Sequence, residues 1–265
     1  MHITITGNLG SGKSTVAKLL SEKYNFEVYS TGKLQRELAK QMNLSTLELN
    51  QLMMSDRKYD NMIDDETARI SRENKDKNII FDSRLAWNFV EFSFKVFVSV
   101  SLDVAAYRVM NDQRGPVEKY SSLEEAKALL AERANTERIR YKDIYNLNYM
   151  DFTNYNLVID GTFCDPETIA NIIIEEANEF YANPQKATKR LVSPKCLKFA
   201  EINDEEDKSR LNDMINNLKA KKYIKDRIIK VKKQDDGFLV MENIDLAKAA
   251  CFANVSYIQI EIVEG

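Results

Sequence analysis

The 265-residue chain carries 38 basic and 41 acidic residues for a net charge of -3, with 44% apolar and 30% charged residues. That balance fits a globular protein of two unequal domains able to bury a full core, and it removes the broad positive field on which sequence-independent nucleic-acid binding relies. Cys164, Cys196 and Cys251 lack CxxC or Cys/His spacing, so neither a disulfide framework nor a zinc site is suggested, and His2 as the sole histidine excludes a His-based triad or a His-rich metal site.

His2 to Thr6 (HITIT) is short and β-branched, as a buried strand requires. It runs into GNLGSGKST and then into Thr15 to Leu20, whose apolar residues recur at helical spacing. Gly7, Gly12, Lys13 and Ser14 fill the GxxxxGK[ST] pattern. Across Gly7, Asn8, Leu9, Gly10, Ser11, Gly12 and on to Thr15, backbone N–H groups must turn inward on a phosphate, which needs glycine at the tightest points. Lys13 supplies a charge toward the outer phosphates, and the Ser14 hydroxyl is placed to ligate Mg²⁺. The helix N-terminus adds its own partial positive charge.

Ser30-Thr31-Gly32 is a small-residue turn before a helix carrying Arg36, an arrangement that suits a second anion. Asn78 to Asp82 (NIIFD) is an apolar run ending in a carboxylate. Asp82 either holds a magnesium-bound water or caps a helix. Arg84 leaves the same strand end and suits bidentate anion binding. Lys95 to Val100 and Asn156 to Asp160 complete the strand candidates, which together imply a parallel sheet covered on both faces, with ligands at the carboxyl ends of its strands. Arg108 and Arg114 flank a segment leading into Gly115-Pro116, a hinge for a mobile cover. Within LLAERANTERIRYKDIY, Arg133, Glu137 and Arg140 share one helix face. They form either a solvated salt-bridged face or a cluster that stabilises an anionic transition state. No apolar run approaches the ~20 residues of a membrane helix, and the N-terminus lacks a signal-peptide plan; a cytoplasmic protein without a membrane partner is expected.

In order, ITITGNLGSGKSTVAKLL, YSTGKLQRELA, NIIFDSRLAW and ERANTERIRYKDIYNLNYMDFTNYNLVIDGT make residues 1 to 180 resemble the nucleoside monophosphate kinases, most closely the cytidylate kinase-like branch. The resemblance implies an α/β P-loop fold with a mobile lid, ATP and Mg²⁺ as cofactors, and phosphorylation of a pyrimidine nucleoside monophosphate, CMP or dCMP. It makes Thr31, Gly32, Arg36 and Arg84 the acceptor-binding residues and Arg114, Arg133 and Arg140, with Lys13, the catalytic cations. Lys33 stands where that family often carries an acid, and Trp87-Asn88 where relatives read GW; both bear on base preference. The alternatives are a P-loop kinase for another small acceptor, such as a shikimate-like substrate, and a nucleotide-sensing or partition-linked binding module with a non-catalytic kinase half.

Around residues 181 to 190 the apolar periodicity stops at a polar, proline-containing stretch, which reads as a linker. Beyond it come RLVSPKCLKF, a helical run from Glu205 to Tyr223, a strand RIIKVKK, the turn Gln234-Asp235-Asp236-Gly237, a strand FLVME, a helix DLAKAACFAN and a last strand YIQIEIV. This order resembles the ParB/sulfiredoxin-like fold, a small α+β domain over residues 190 to 265. Its phosphate-binding GxxR segment reads Glu242-Asn243-Ile244-Asp245 here, which implies a degenerate, non-catalytic unit for contact with a protein partner or for regulation.

Overall fold

The computed structural model of the chain describes residues 1–44, 48–49, 52–53, 58–111, 120–184, 187–201 and 203–263. Among the described residues, ten strands form one continuous sheet. Its N-terminal part contains β1 (His2–Gly7), β2 (Glu27–Ser30), β3 (Ile79–Asp82), β4 (Phe94–Ser99) and β5 (Leu157–Asp160). They lie side by side in the order β2-β3-β1-β4-β5, all parallel. Every residue of β1 is buried, because strands flank it on both edges and helices cover both faces. Its near-continuous apolar character is what a central parallel strand demands.

Helices α1 (Lys13–Tyr24), α2 (Thr31–Gln41), α3 (Lys58–Glu73), α4 (Ala86–Phe89), α5 (Leu102–Asn111), α6 (Leu123–Tyr145) and α7 (Pro166–Ala182) join and cover these strands. Val16, Ala17 and Leu20 of α1 and Ile169, Ile172, Ile173 and Ala177 of α7 pack on Ile3, Ile5, Val96 and Ile159 as one core. Placing the α7 N-cap is simple chemistry. The Asp165 carboxylate accepts the Thr168 backbone N–H, with Pro166 at the first helical position.

The sheet does not stop at the kinase-like part. Strand β6 (Lys189–Val192) pairs in parallel with β5 and, on its other edge, antiparallel with β10 (Tyr257–Ile262). Beyond β10 come β8 (Tyr223–Gln234), β9 (Gly237–Val240) and the two-residue β7 (Leu197–Lys198). Helices α8 (Asp204–Arg210), α9 (Asn212–Leu218) and α10 (Ile244–Phe252) cover one face of this extension. Their Leu211, Ile215, Leu218, Leu246 and Ala250 form a second core with Ile229, Val231, Ile258 and Ile260.

Three expectations need correction. The stretch read as a linker to Arg190 ends sooner, because Lys189 and Arg190 belong to β6; Glu176 neutralises Lys189 at 2.5 Å, and the Arg190 guanidinium lies over the Phe152 ring. Those partners let polar residues enter a sheet interior. The helical run from Glu205 to Tyr223 is two helices broken at Leu211, whose backbone leaves helical geometry while its side chain is buried. Ser30 is the end of β2 and Thr31 already the start of α2, so the expected turn is a strand running straight into a helix.

Candidate active site

The glycine loop links β1 to α1 in the way its composition demands. Gly12, at φ 86, is the N-cap of α1, and Gly10 has φ 72, both in the left-handed region closed to most side chains. Ser11 lies inside the loop with its hydroxyl buried and, among the described residues, without a hydrogen-bond partner. A buried polar atom left open in a turn of inward amides fits an anionic ligand.

A cavity of about 300 Å³ opens against this loop. Leu9 to Thr15 form one wall, Ser30 to Gly32 and Gln35 a second, and Asp82 to Leu85 a third. The remaining side comes from two helices: Asp60, Ile63 and Asp64 of α3, and Arg133, Glu137, Tyr141 and Tyr145 of α6. The Ser14 hydroxyl donates to Asp82 Oδ2 at 3.0 Å, so the two expected metal-binding residues stand together at the cradle end. One carboxylate and one hydroxyl suit Mg²⁺, which takes few protein ligands and completes its octahedron with water and substrate phosphate. Among the described residues no cluster of three His, Cys, Asp or Glu side chains offers a self-sufficient metal cage.

Arg84 is the best-defined cation of the site. Thr6, buried in β1, donates its hydroxyl to the Ser83 and Arg84 carbonyls at 3.1 and 3.3 Å, and the Trp87 indole N–H donates to the Arg84 carbonyl at 3.1 Å. The backbone is thereby fixed before the side chain leaves it. The guanidinium donates from Nη1 to the Gly7 carbonyl and from Nε to Glu137 Oε2, each at 2.9 Å. Burial opposes its charge, yet Glu137 outweighs that and raises the Arg84 pKa. Burial likewise works against the Glu137 carboxylate, but Arg84 and then Arg133 hold it below the usual range. Arg133 reaches Glu137 Oε1 at 3.2 Å and is half exposed at the cavity mouth.

The other expected residues are placed as follows. Lys13, Ser14, Thr31, Gly32, Arg84 and Arg133 line the cavity together, and Gly7 meets Arg84 through its carbonyl. Asn8 Oδ1 accepts the Val100 amide, tying the loop to the end of β4. Arg140 does not line the cavity; its Nη2 donates to both Asp60 oxygens at 2.6 and 2.7 Å. This is a correction to the shared arginine face: Glu137 pairs with Arg133 and Arg84, while Arg140, a further turn along, is held by α3. Arg36 lies in α2, its side chain outside the described residues, as are Arg114 and the Gly115-Pro116 hinge. Arg108 donates to the Ser11 and Gly161 carbonyls at 3.3 and 2.7 Å and braces the loop from behind.

Sequence reasoning missed the α3 wall. Asp60 and Asp64 sit four residues apart on an amphipathic helix without a motif, and only their facing partners on α6 reveal them. His2 is structural: it is buried against Phe81, meets the Asn74 carbonyl at 2.9 Å, and burial lowers its pKa. The three cysteines are free thiols, and burial pushes Cys251 up to about 11 and Cys196 to about 12. No helix among the described residues is long and apolar enough to cross a membrane.

A phosphate cradle, an adjoining cationic strand end and a roof of one long helix define a P-loop phosphotransferase site. The model of the cytidylate kinase-like family matches residues 2–162. A cytidylate kinase of Methanobrevibacter smithii is 33% identical over 174 residues, 66% of this chain and 96% of that protein. One of Thermoplasma volcanium is 33% identical over 202 residues, 75% of this chain and 99% of that protein. Among solved structures, an uncharacterized protein from Eubacterium ventriosum shares the fold at a TM-score of 0.50 and 20% identity, over 67% of this chain and 98% of that one. The chain belongs to the cytidylate kinase-like family, and its N-terminal part is that of a nucleoside monophosphate kinase.

Proposed function

We propose that the chain transfers the γ-phosphoryl group of ATP to a pyrimidine nucleoside monophosphate, CMP or dCMP, giving the diphosphate. The observation that carries this reading is one cavity bounded at once by the glycine loop, Thr31-Gly32 and Arg84. A cradle alone accounts for one phosphorylated ligand; a buried, pre-positioned guanidinium across the gap calls for a second.

In this reading the loop amides from Asn8 to Thr15 and Lys13 bind the donor phosphates, and Thr31, Gly32, Arg36 and Arg84 bind the acceptor phosphate. Ser14 and Asp82 hold Mg²⁺, which supplies charge neutralisation on the transferring group when bound. No side chain need remove a proton, because the acceptor is already an anion; the protein aligns the two phosphates, matches their charge and excludes water. Glu137 orients Arg84 and Arg133 while the site waits. Arg133 at the mouth and Arg114 act on the transferring group, while Arg140, paired with Asp60, fixes the α3 wall against α6.

Residues 190 to 265 act, in the same proposal, as a non-catalytic ParB/sulfiredoxin-like unit for a protein contact or regulation. The turn ahead of Gly237 joins β8 to β9, in keeping with that fold, and Asp245 at the start of α10 is taken up by Arg210 at 2.7 and 2.8 Å.

A coupled assay of ADP release with every common ribo- and deoxyribonucleoside monophosphate tests the reading. CMP and dCMP are expected to give the highest kcat/KM, and Lys13→Ala to abolish turnover. ATP consumption with none of them, alongside retained nucleotide affinity, would favour a sensor instead.

A further inference from the structure

Four carboxylates line the cavity, and three have an assigned counterpart. Asp82 accepts the Ser14 hydroxyl, Glu137 is held by Arg84 and Arg133, and Asp60 takes both hydrogen bonds from Arg140. Asp64 does not follow them. Its Oδ2 accepts a hydrogen bond from the neutral Tyr145 hydroxyl at 2.6 Å, and its Oδ1 has no partner among the described residues. Asp64 lines the cavity, open to a donor from a ligand. Burial raises Asp64 to about 7, against the pull of the Tyr145 hydrogen bond and with Asp60 and Asp65 adding to the rise, while Arg140 lowers it only weakly.

The surroundings narrow the donor. Tyr145, which bonds Asp64, has the Tyr141 ring 6.4 Å away on the same cavity wall, and Ile63 adds an apolar surface. Such a corner suits a flat heteroaromatic ring whose edge offers N–H groups. The cation that suits a phosphate, Arg84, stands on a different wall of the same cavity.

We propose that Asp64, oriented by Tyr145, selects the acceptor base by accepting a hydrogen bond from its exocyclic amine. This rests on the kinase reading above and adds the specificity residue to it. Cytosine presents an amino group at the edge where uracil presents a carbonyl oxygen. In its ionised form, above the range in which Asp64 titrates, the carboxylate accepts from the first, while the second sets lone pairs against lone pairs and leaves that acceptor unmet. Asparagine at position 64 is isosteric and can both accept and donate, so it meets either base.

The test is the ratio of kcat/KM for CMP to that for UMP at pH 8.5, where Asp64 is ionised, with ATP saturating, in the wild-type chain and in Asp64→Asn. The expected wild-type ratio is at least about 100, because a site built around a hydrogen bond discriminates strongly against the partner that lacks it. Asp64→Asn is expected to lower the ratio at least about tenfold, with UMP turnover unchanged or increased. Tyr145→Phe keeps the ring and removes the orienting hydroxyl; it is expected to lower the ratio in the same direction by a smaller factor, and it serves if Asp64→Asn does not fold. A purely structural role would lower both substrates in parallel and leave the ratio unmoved; that result overturns the inference and leaves the kinase reading intact. A wild-type chain that phosphorylates neither substrate overturns the kinase reading, and the inference with it.

Discussion

Arg84 shows how much of this site is decided one side chain at a time. Its carbonyl is fixed by Thr6 and Trp87 and its guanidinium by Gly7 and Glu137, so the charge is aimed before any ligand arrives. Pre-positioning of this kind removes reorganisation from the binding step. Asp64 is the opposite case, a charge the fold disfavours. Its folded pKa of about 7 lies above the ordinary 3.8, so the folded chain holds this proton more tightly than the unfolded one. The resulting stabilisation is present on the acid side and is lost as pH rises through about 7. Without ligand, the melting temperature is expected to fall between pH 5.5 and pH 8 more steeply in the wild type than in Asp64→Asn. Parallel pH profiles for the two would show that this carboxyl titrates normally. Tyr145, Asp60, Asp65 and Arg140 face it in both proteins, so the difference isolates Asp64.

At the scale of elements, the organising piece is α6. Its start is secured by Ser122, which accepts the Glu125 amide, and its end by Asn146 in the left-handed conformation. Between these caps one helix brings Arg133 and Glu137 over the glycine loop and Tyr141 and Tyr145 over the α3 wall. Glu137→Gln should therefore act beyond its own position, since it leaves the buried Arg84 charge without a carboxylate. A loss of about 3 kcal/mol in unfolding free energy is expected, read from the denaturant midpoint, because removing one member of a buried ion pair strands the other. An unchanged midpoint would show that Arg84 is solvated well enough to stand alone. Legibility followed locality at this scale. The glycine loop was readable because strand, turn and helix N-terminus are contiguous and their residue types are dictated by backbone geometry. The α3 wall was not, because Asp60 and Asp64 acquire meaning only from Arg140 and Tyr145, about eighty residues away along the chain. For the same reason the helix face of Arg133, Glu137 and Arg140 was read as one cluster, when tertiary partners divide it between two walls.

For the whole molecule, the decisive feature is the strand that joins the two cores. β6 lies between β5 and β10, so the C-terminal unit continues the kinase sheet. Across this seam Glu176 accepts from Lys189 and Tyr223, Lys225 reaches Glu175 and Glu179, and the Tyr257 hydroxyl donates to the Asp160 carbonyl at 2.7 Å. Leu191 and Tyr257 are buried in the N-terminal core itself. Sequence showed the hairpin and the helices of this unit, but strand pairing across the seam is non-local, and two cationic residues at the start of β6 gave it the look of a linker. The curated relatives are spanned almost end to end by two thirds to three quarters of this chain, so a kinase of this family completes its fold without the whole extension. A chain ending at residue 183 is accordingly expected to keep measurable turnover while melting well below the full chain, since it loses the β6 edge and the Tyr257 packing. Complete loss of activity in a folded truncated chain would show that the extension belongs to the catalytic machinery.

Two phosphorylated ligands are proposed to meet in one gap, between the glycine loop and Arg84. The decisive experiment is a crystal structure with a bisubstrate analogue, cytidine and adenosine joined through a polyphosphate. One analogue molecule is expected to span the cavity, with its phosphates along the loop from Asn8 to Thr15 at one end and Arg84 contacting the phosphate nearest the cytidine at the other. An analogue bound through its adenosine half alone, with the cytidine end in solvent and Arg84 still paired only to Glu137 and Gly7, would contradict it.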